Sequence, residues 1–289
     1  SLRNTLGFTA INLLLAPVVV LYVSLALVSN YLEEQTAGFL RLSPVGIYMA
    51  ERSYHRDSQE IRLAGMMHVG KKAYYSDLAD SISSGATVIL AEGVTDRDRL
   101  LEHNFDYSKL AGVIGVSSQD KMQIDGNPVD LNSPDQMPAG DGDKPDIAWA
   151  DIDLSRFDPQ TVDFLNAIGR TLFSGKPLAD AFTEYREWAS ENMTPERVAG
   201  VMTDILDKRN DAVIASMPKA LQRYETIIVP WGALHMPAIE AAVLAQGFTP
   251  GGRKERMSLD FRTLPYREVW RKWSARTAAV RAPASPNGG

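Results

Sequence analysis

The strongest pattern along the chain is a run without charge. From Asn4 to Leu32, 29 consecutive residues carry none, and Ile11–Val28 reads INLLLAPVVVLYVSLALV. A helix that crosses a bilayer needs about 20 mostly apolar residues. Pro17 does not break this reading, because membrane helices tolerate proline. A secretory signal peptide has an apolar core of about 7–15 residues, shorter than this run. A buried core helix is the other alternative, and apolarity on every face argues against it. Arg3 precedes the run, and Glu33 and Glu34 follow it. A basic flank favours the cytoplasmic side. The pattern therefore predicts a single-pass membrane protein whose main domain, residues 33–289, is extracytoplasmic.

After residue 33 the pattern changes to short apolar runs alternating with helical periodicity. Gly46–Tyr54 and Glu60–Met67 read as strands joined by the polar turn His55–Ser58. Lys71–Ser84 reads as a helix, Thr87–Ala91 (TVILA) as a buried strand and Phe105–Val116 as a helix. Asp125–Lys144 is rich in Asp, Asn, Gly and Pro and reads as a loop. Thr161–Phe173, Pro177–Ser190 and Pro195–Leu221 carry helical periodicity. Thr226–Pro230 (TIIVP) reads as a strand, Pro237–Gln246 as a helix ended by Gly247, and Leu259–Thr263 as a last strand. Strands alternating with helices imply an α/β fold, and the closeness of the first two strands in sequence implies a mixed central sheet, flanked by helices and preceded by one transmembrane helix. The expected organisation is a membrane anchor, or alternatively a signal segment, at 1–32, one α/β domain at 33–281 and a disordered tail at 282–289 (APASPNGG from Ala282).

Composition narrows the chemistry. Of 289 residues, 45% are hydrophobic, ample for a core. The net charge is −6, with no concentrated basic footprint, which argues against a nucleic-acid partner. The chain has 0 cysteines, which excludes a disulfide framework, an iron–sulfur cluster, a thiolate zinc site and a Cys nucleophile. Any metal must be held by His, Asp, Glu or amides, and there are only four His. His55 and His103 lie in polar surroundings and read as surface residues.

The other two His share a local pattern. Residues 61–70 read IRLAGMMHVG and residues 228–237 read IVPWGALHMP. Each is an apolar strand followed by Gly-x-x-His, with Gly65 before His68 and Gly232 before His235. Glycine at a strand end permits a sharp turn or a close backbone approach. Each His then lies at the carboxyl end of its strand, where open α/β sheets place their ligands. On neighbouring strands the two would converge. Glu92 follows the strand Thr87–Ala91 and reaches the same rim. Two neutral imidazoles and a carboxylate suit a hydrolytic divalent metal. A lone His after a strand is more often structural; two in matching contexts favour function. The run ADIDLSRF places Asp151 and Asp153 either at a polar turn, the reading preferred here, or near the site.

In order along the chain, Gly65–His68, Glu92, Arg209-Asn210 and Gly232–His235 resemble the TraB/PrgY/GumN family, which is related to the Tiki metalloproteases. LAGVIGVSSQ (110–119) and DIDLSRF (151–157) are similar as well, so the resemblance spans roughly residues 46–250. It departs at Lys208, where an acid is expected, and in Trp231 and the bulky residues between each Gly and His. The resemblance implies a metallohydrolase, in particular a peptidase, with Mn, Co or Zn held by His68 and His235. Glu92 would be a third ligand or the general base. Arg209 would stabilise an oxyanion or hold a substrate carboxylate, and Asn210 would bond to the same oxygen. A non-catalytic surface protein that binds peptides is the alternative. More distantly, the sequence resembles the ChaN/erythromycin-esterase group, which implies haem binding by His68 or His235 as a weaker alternative. Tyr266–Arg276 (YREVWRKWSAR) places Tyr266, Trp270 and Trp273 on one helical face, expected to dock on the domain rather than on a membrane.

Overall fold

A computed structural model of the chain describes residues 2–82, 85–103, 117–118, 124–133, 143–173, 178–267 and 271. The chain opens with helix α1 (Leu2–Gln35). Its segment Leu15–Gln35 is long and apolar enough to cross a membrane, and 0% of it is buried, so it is not a core helix. Within four residues of its end the chain reverses, through Ala37 and Gly38 with positive φ, and enters the sheet at Phe39, which is fully buried.

The sheet is mixed, as expected from two first strands so close in sequence. Strands β1 (Leu40–Ser43), β2 (Gly46–Arg56) and β3 (Gln59–Met66) form an antiparallel meander. A two-residue strand β4 (Val69–Gly70) pairs outside the main sheet with β6 (Ser117–Ser118). β5 (Thr87–Ala91), β7 (Asn127–Val129), β8 (Asp146–Trp149) and β9 (Thr226–Gly232) complete a parallel half in the order β3-β9-β5-β8-β7. β10 (Thr249–Asp260) returns antiparallel along β2. The centre of the sheet is apolar on both faces, because β5 and β9 each bury four or more consecutive residues between helix layers.

The helices are α2 (Lys72–Asp80), α3 (Pro159–Phe173), α4 (Leu178–Asn192), α5 (Pro195–Met202), α6 (Lys208–Leu221) and α7 (Met236–Ala245). Three expectations need correction. The single helix expected at Pro195–Leu221 is two helices joined by a π-helical segment, Thr203–Asp207. The last strand begins at Thr249 rather than Leu259 and stops at Asp260, with Phe261–Thr263 a 3-10 turn. It escapes the hydrophobic pattern because its inward positions are Arg256, Ser258 and Asp260, buried polar groups. The Asp125–Lys144 loop contains β7. The helix expected at Phe105–Val116, the tail, and Trp270 and Trp273 lie outside the described residues.

Candidate functional site

The parallel half orders the site. β3 and β9 are neighbours, as are β9 and β5, and β5 and β8. The residues that follow them, His68, His235, Glu92 and Asp151, therefore emerge along one rim. α6 lies across that rim and adds Arg209 and Asn210.

Arg209 is the hub. Its Nη2 donates to Glu92 Oε1 at 2.8 Å and to Asp151 Oδ2 at 2.7 Å, and its Nε donates to Asp151 Oδ1 at 3.1 Å. Its Nη1 lies 3.4 Å from His235 Nε2. The planar fork of guanidinium permits this; an ammonium could not bridge both carboxylates with fixed geometry. The side chains are nearly sealed, at 12% exposure for Arg209, 5% for Glu92 and 0% for Asp151. Asp151 also accepts the backbone N–H groups of Gly93 and Ile152. The carboxylates beside Arg209 hold its guanidinium above its already high pKa against the opposing effect of burial.

His235 is buried as well. Asn210 Oδ1 sits 2.8 Å from its Nδ1. An amide oxygen only accepts, so Nδ1 carries the proton and Nε2 keeps its lone pair. That lone pair faces Arg209 and Glu92 Oε1, the latter 3.7 Å away. Burial pushes the imidazole pKa down to about 4, so the ring is neutral over the physiological range. Trp231, wholly buried, meets the ring edge-on at 5.2 Å and donates from Nε1 to the Leu90 carbonyl.

The two Gly-x-x-His copies are not equivalent. The register sets Gly65 opposite Trp231 and Met66 opposite Gly232, one residue out of step. After β9 the chain turns at once into α7, and His235 is the residue before its first turn. After β3 it continues through Met67 and His68 into β4, and His68 is exposed. His68 shares the rim with His235, because β3 and β9 are parallel neighbours. The glycines differ too. A Cβ on Gly65 would stand 3.2 Å from the Phe39 side chain and 3.3 Å from the Ala50 carbonyl oxygen, so Gly65 serves packing. Gly232 serves the site: its N–H donates to Glu92 Oε2 at 2.8 Å.

The structure brings together Glu92, Arg209, Asn210 and His235 and adds Asp151, which the sequence favoured as a turn. Asp153 does form that turn, capping Leu154–Arg156 through Ser155 and accepting from Thr95. Asn210 is engaged by His235 rather than turned to the cleft. His55 is exposed, whereas His103, expected at the surface, is half-buried against Gly169. Lys208 pairs with the buried Asp204 at 2.5 Å. The π-helical turn ends at Asp207, two residues before Arg209, and Asp204 within it also accepts the Asp158 backbone N–H. The sequence carried one missed signal, a Gly-Val-Thr segment (93–95) after Glu92 matched by Asp151-Ile152-Asp153 after β8. The two are joined by a bridge between Thr95 and Asp153.

The donor chemistry can be tested against a divalent ion. The His235 Nε2 lone pair and Glu92 Oε1 converge, and the oriented Nδ1 is the usual outer-shell arrangement of a ligating His. The pocket holds two carboxylates against one guanidinium, an imbalance a cation would offset. Among the described residues no group of three or more His, Asp and Glu is placed to hold an ion; His68 would have to turn in from its exposed position to complete a set with His235 and Glu92. His235 and Glu92 supply two of the donors such an ion needs, and the third is not in place. No known family model, curated protein or solved structure matches the chain.

Proposed function

We propose that the protein is a membrane-anchored, metal-dependent hydrolase, a peptidase, whose active site is the rim formed after β3, β5, β8 and β9. The observation that carries this reading is His235: a buried, neutral imidazole, oriented by Asn210, with its Nε2 lone pair aimed between the Glu92 carboxylate and Arg209 Nη1. His68, His235 and Glu92 would hold a divalent ion such as Mn, Co or Zn. Such an ion supplies a bound water with a pKa brought down to about 7.

Glu92 stands where it can ligate or take a proton. Its Oε2 is fixed by the Gly232 N–H, and its Oε1 faces His235. Arg209, braced by Asp151, holds that carboxylate directly through Nη2, and its Nη1, beside His235 Nε2, would meet developing negative charge. α1, long and apolar enough to cross a membrane, supports a single-pass anchor. The sequence flanks, Arg3 before and Glu33-Glu34 after, support an extracytoplasmic domain.

The peptide-binding alternative needs Arg209 as a receptor for a terminal carboxylate. The occupation of Nε and Nη2 by Asp151 and Glu92 counts against it. The test is cleavage of a mixed peptide library by the full chain with Mn, Co or Zn, read by mass spectrometry. Metal-dependent cleavage lost in Glu92→Gln supports the proposal. Peptides recovered bound and uncleaved, with or without metal, would replace it by the binding reading.

A further inference from the structure

The end of the sheet that carries the site is also the end turned toward the apolar helix. β1 and β3 are both antiparallel to β2, so they run the same way. β9, β5 and β8 run parallel to β3. Their carboxyl ends, and the site on them, therefore point in the direction β1 travels. β1 travels back along α1. The Ser29 hydroxyl, six residues before the helix ends at Gln35, donates to the Leu42 carbonyl at 2.8 Å. Six helical residues correspond to about 9 Å along the axis. Leu25, Ser29 and Leu32, at i, i+4 and i+7, are half-covered on a stretch whose other faces are exposed. β1 thus runs beside the last turns of the apolar segment, and the β1–β2 turn at Pro44 and Val45 lies further toward its middle.

The junction has no slack. Arg52 Nη2 donates to the Ala37 carbonyl at 2.6 Å, and its guanidinium covers the Phe39 ring at 4.2 Å. Phe39 is buried against Gly65, three residues before His68. A bilayer around α1 therefore fixes the orientation of the sheet. The rim carries apolar groups in water: Trp149 at 67% exposure beside the end of β5, Leu234 at 53% between Gly232 and His235, Val45 and Tyr266. At the opposite end the turns present Asp57, Ser58, Gln222 and Glu225. Tryptophan and tyrosine favour the membrane–water interface.

We infer that this rim rests on the surface of the bilayer that holds α1, with Trp149 and Leu234 in the interface, and that the site cleaves polypeptide close to its own membrane anchor. The second part rests on the hydrolase reading; the first does not. A segment tethered in the same bilayer enters such a site from the side and at high effective concentration, whereas a soluble chain is hindered by lipid.

The full chain in phosphatidylcholine nanodiscs tests both parts. With 0 native cysteines, each introduced one is unique. Nitroxides on Val45→Cys, Trp149→Cys and Leu234→Cys are compared with Ser58→Cys and Glu225→Cys for accessibility to oxygen against a water-soluble nickel chelate. A several-fold higher oxygen-to-nickel ratio at the three rim positions is expected; ratios equal to those of Ser58→Cys overturn the contact. Single-span reporters with the cleavable sequence about 5 or about 25 residues from the span are then compared with the free peptide. Faster cleavage of the near reporter, by tenfold or more on the order of the tethering gain, is expected. Equal rates, preference for the free peptide, or hydrolysis of the lipid instead overturn the substrate assignment. Cleavage of none of them defeats the hydrolase reading, and the bilayer contact is then judged on the labels alone.

Discussion

Asn210 Oδ1 lies 2.8 Å from His235 Nδ1, and this contact decides which nitrogen of the buried imidazole carries the proton. Asn210→Leu removes the acceptor and leaves a buried donor without a partner. The expected cost is about 1–3 kcal/mol of stability, read by chemical denaturation. The imidazole tautomer, read from its nitrogen NMR shifts, should become mixed. An unchanged single tautomer would show that other contacts set the ring.

Asp151 braces Arg209 from a position with no solvent access. Asp151→Asn keeps the shape and removes the charge. Breaking one partner of a buried pair costs about 3–5 kcal/mol at most, and the remaining Glu92 contact should hold the loss toward the lower end. Arg209→Lys should not behave as a conservative change, because a single ammonium cannot occupy both carboxylates as the fork does. Thermal unfolding of the two variants checks this.

The two glycines of the repeated pattern predict opposite phenotypes. Gly65→Ala forces a methyl against Phe39 and the Ala50 carbonyl, and overpacking of this kind costs about 1–3 kcal/mol. Gly232→Ala meets only His235 Cδ2 at 3.4 Å and the Glu92 carboxylate from 3.7 Å. It should fold with near-normal stability but change the site. Melting temperature and peptide cleavage measured on both variants separate the effects.

Burial lowers the His235 pKa from 6.5 to about 4. The unfolded chain therefore takes up a proton at this residue before the folded one does. In the metal-free protein its contribution to stability is full above about pH 6.5 and is lost as pH falls toward 4. His235→Gln should flatten the stability profile in that window. A wild-type profile already flat between pH 6.5 and 4 would contradict the assignment.

Much of this was legible in the residues. Thr87–Ala91 and Thr226–Gly232 announce themselves because both faces are buried, so their apolar runs are continuous. Their carboxyl ends locate Glu92 and His235 without further information. Asp151 was ambiguous because an aspartate after a short strand looks the same whether it caps a turn, as Asp153 does, or braces an arginine from another helix. That distinction lies in tertiary geometry. The difference between His68 and His235 was hidden for a related reason. Identical Gly-x-x-His spacing says nothing of whether the next element is a helix that buries the ring or a strand that carries it outward. β10 was misplaced because its inward side chains are charged groups held by Glu51, Asp77 and Lys71.

The most direct test of the central claim is the metal content of the full chain, purified in detergent and reloaded with Mn, Co or Zn, measured by elemental mass spectrometry beside His68→Ala and His235→Ala. The account predicts about one divalent ion per chain, lost in both variants. A wild-type protein that retains no metal, or that keeps its metal in both variants, would contradict it.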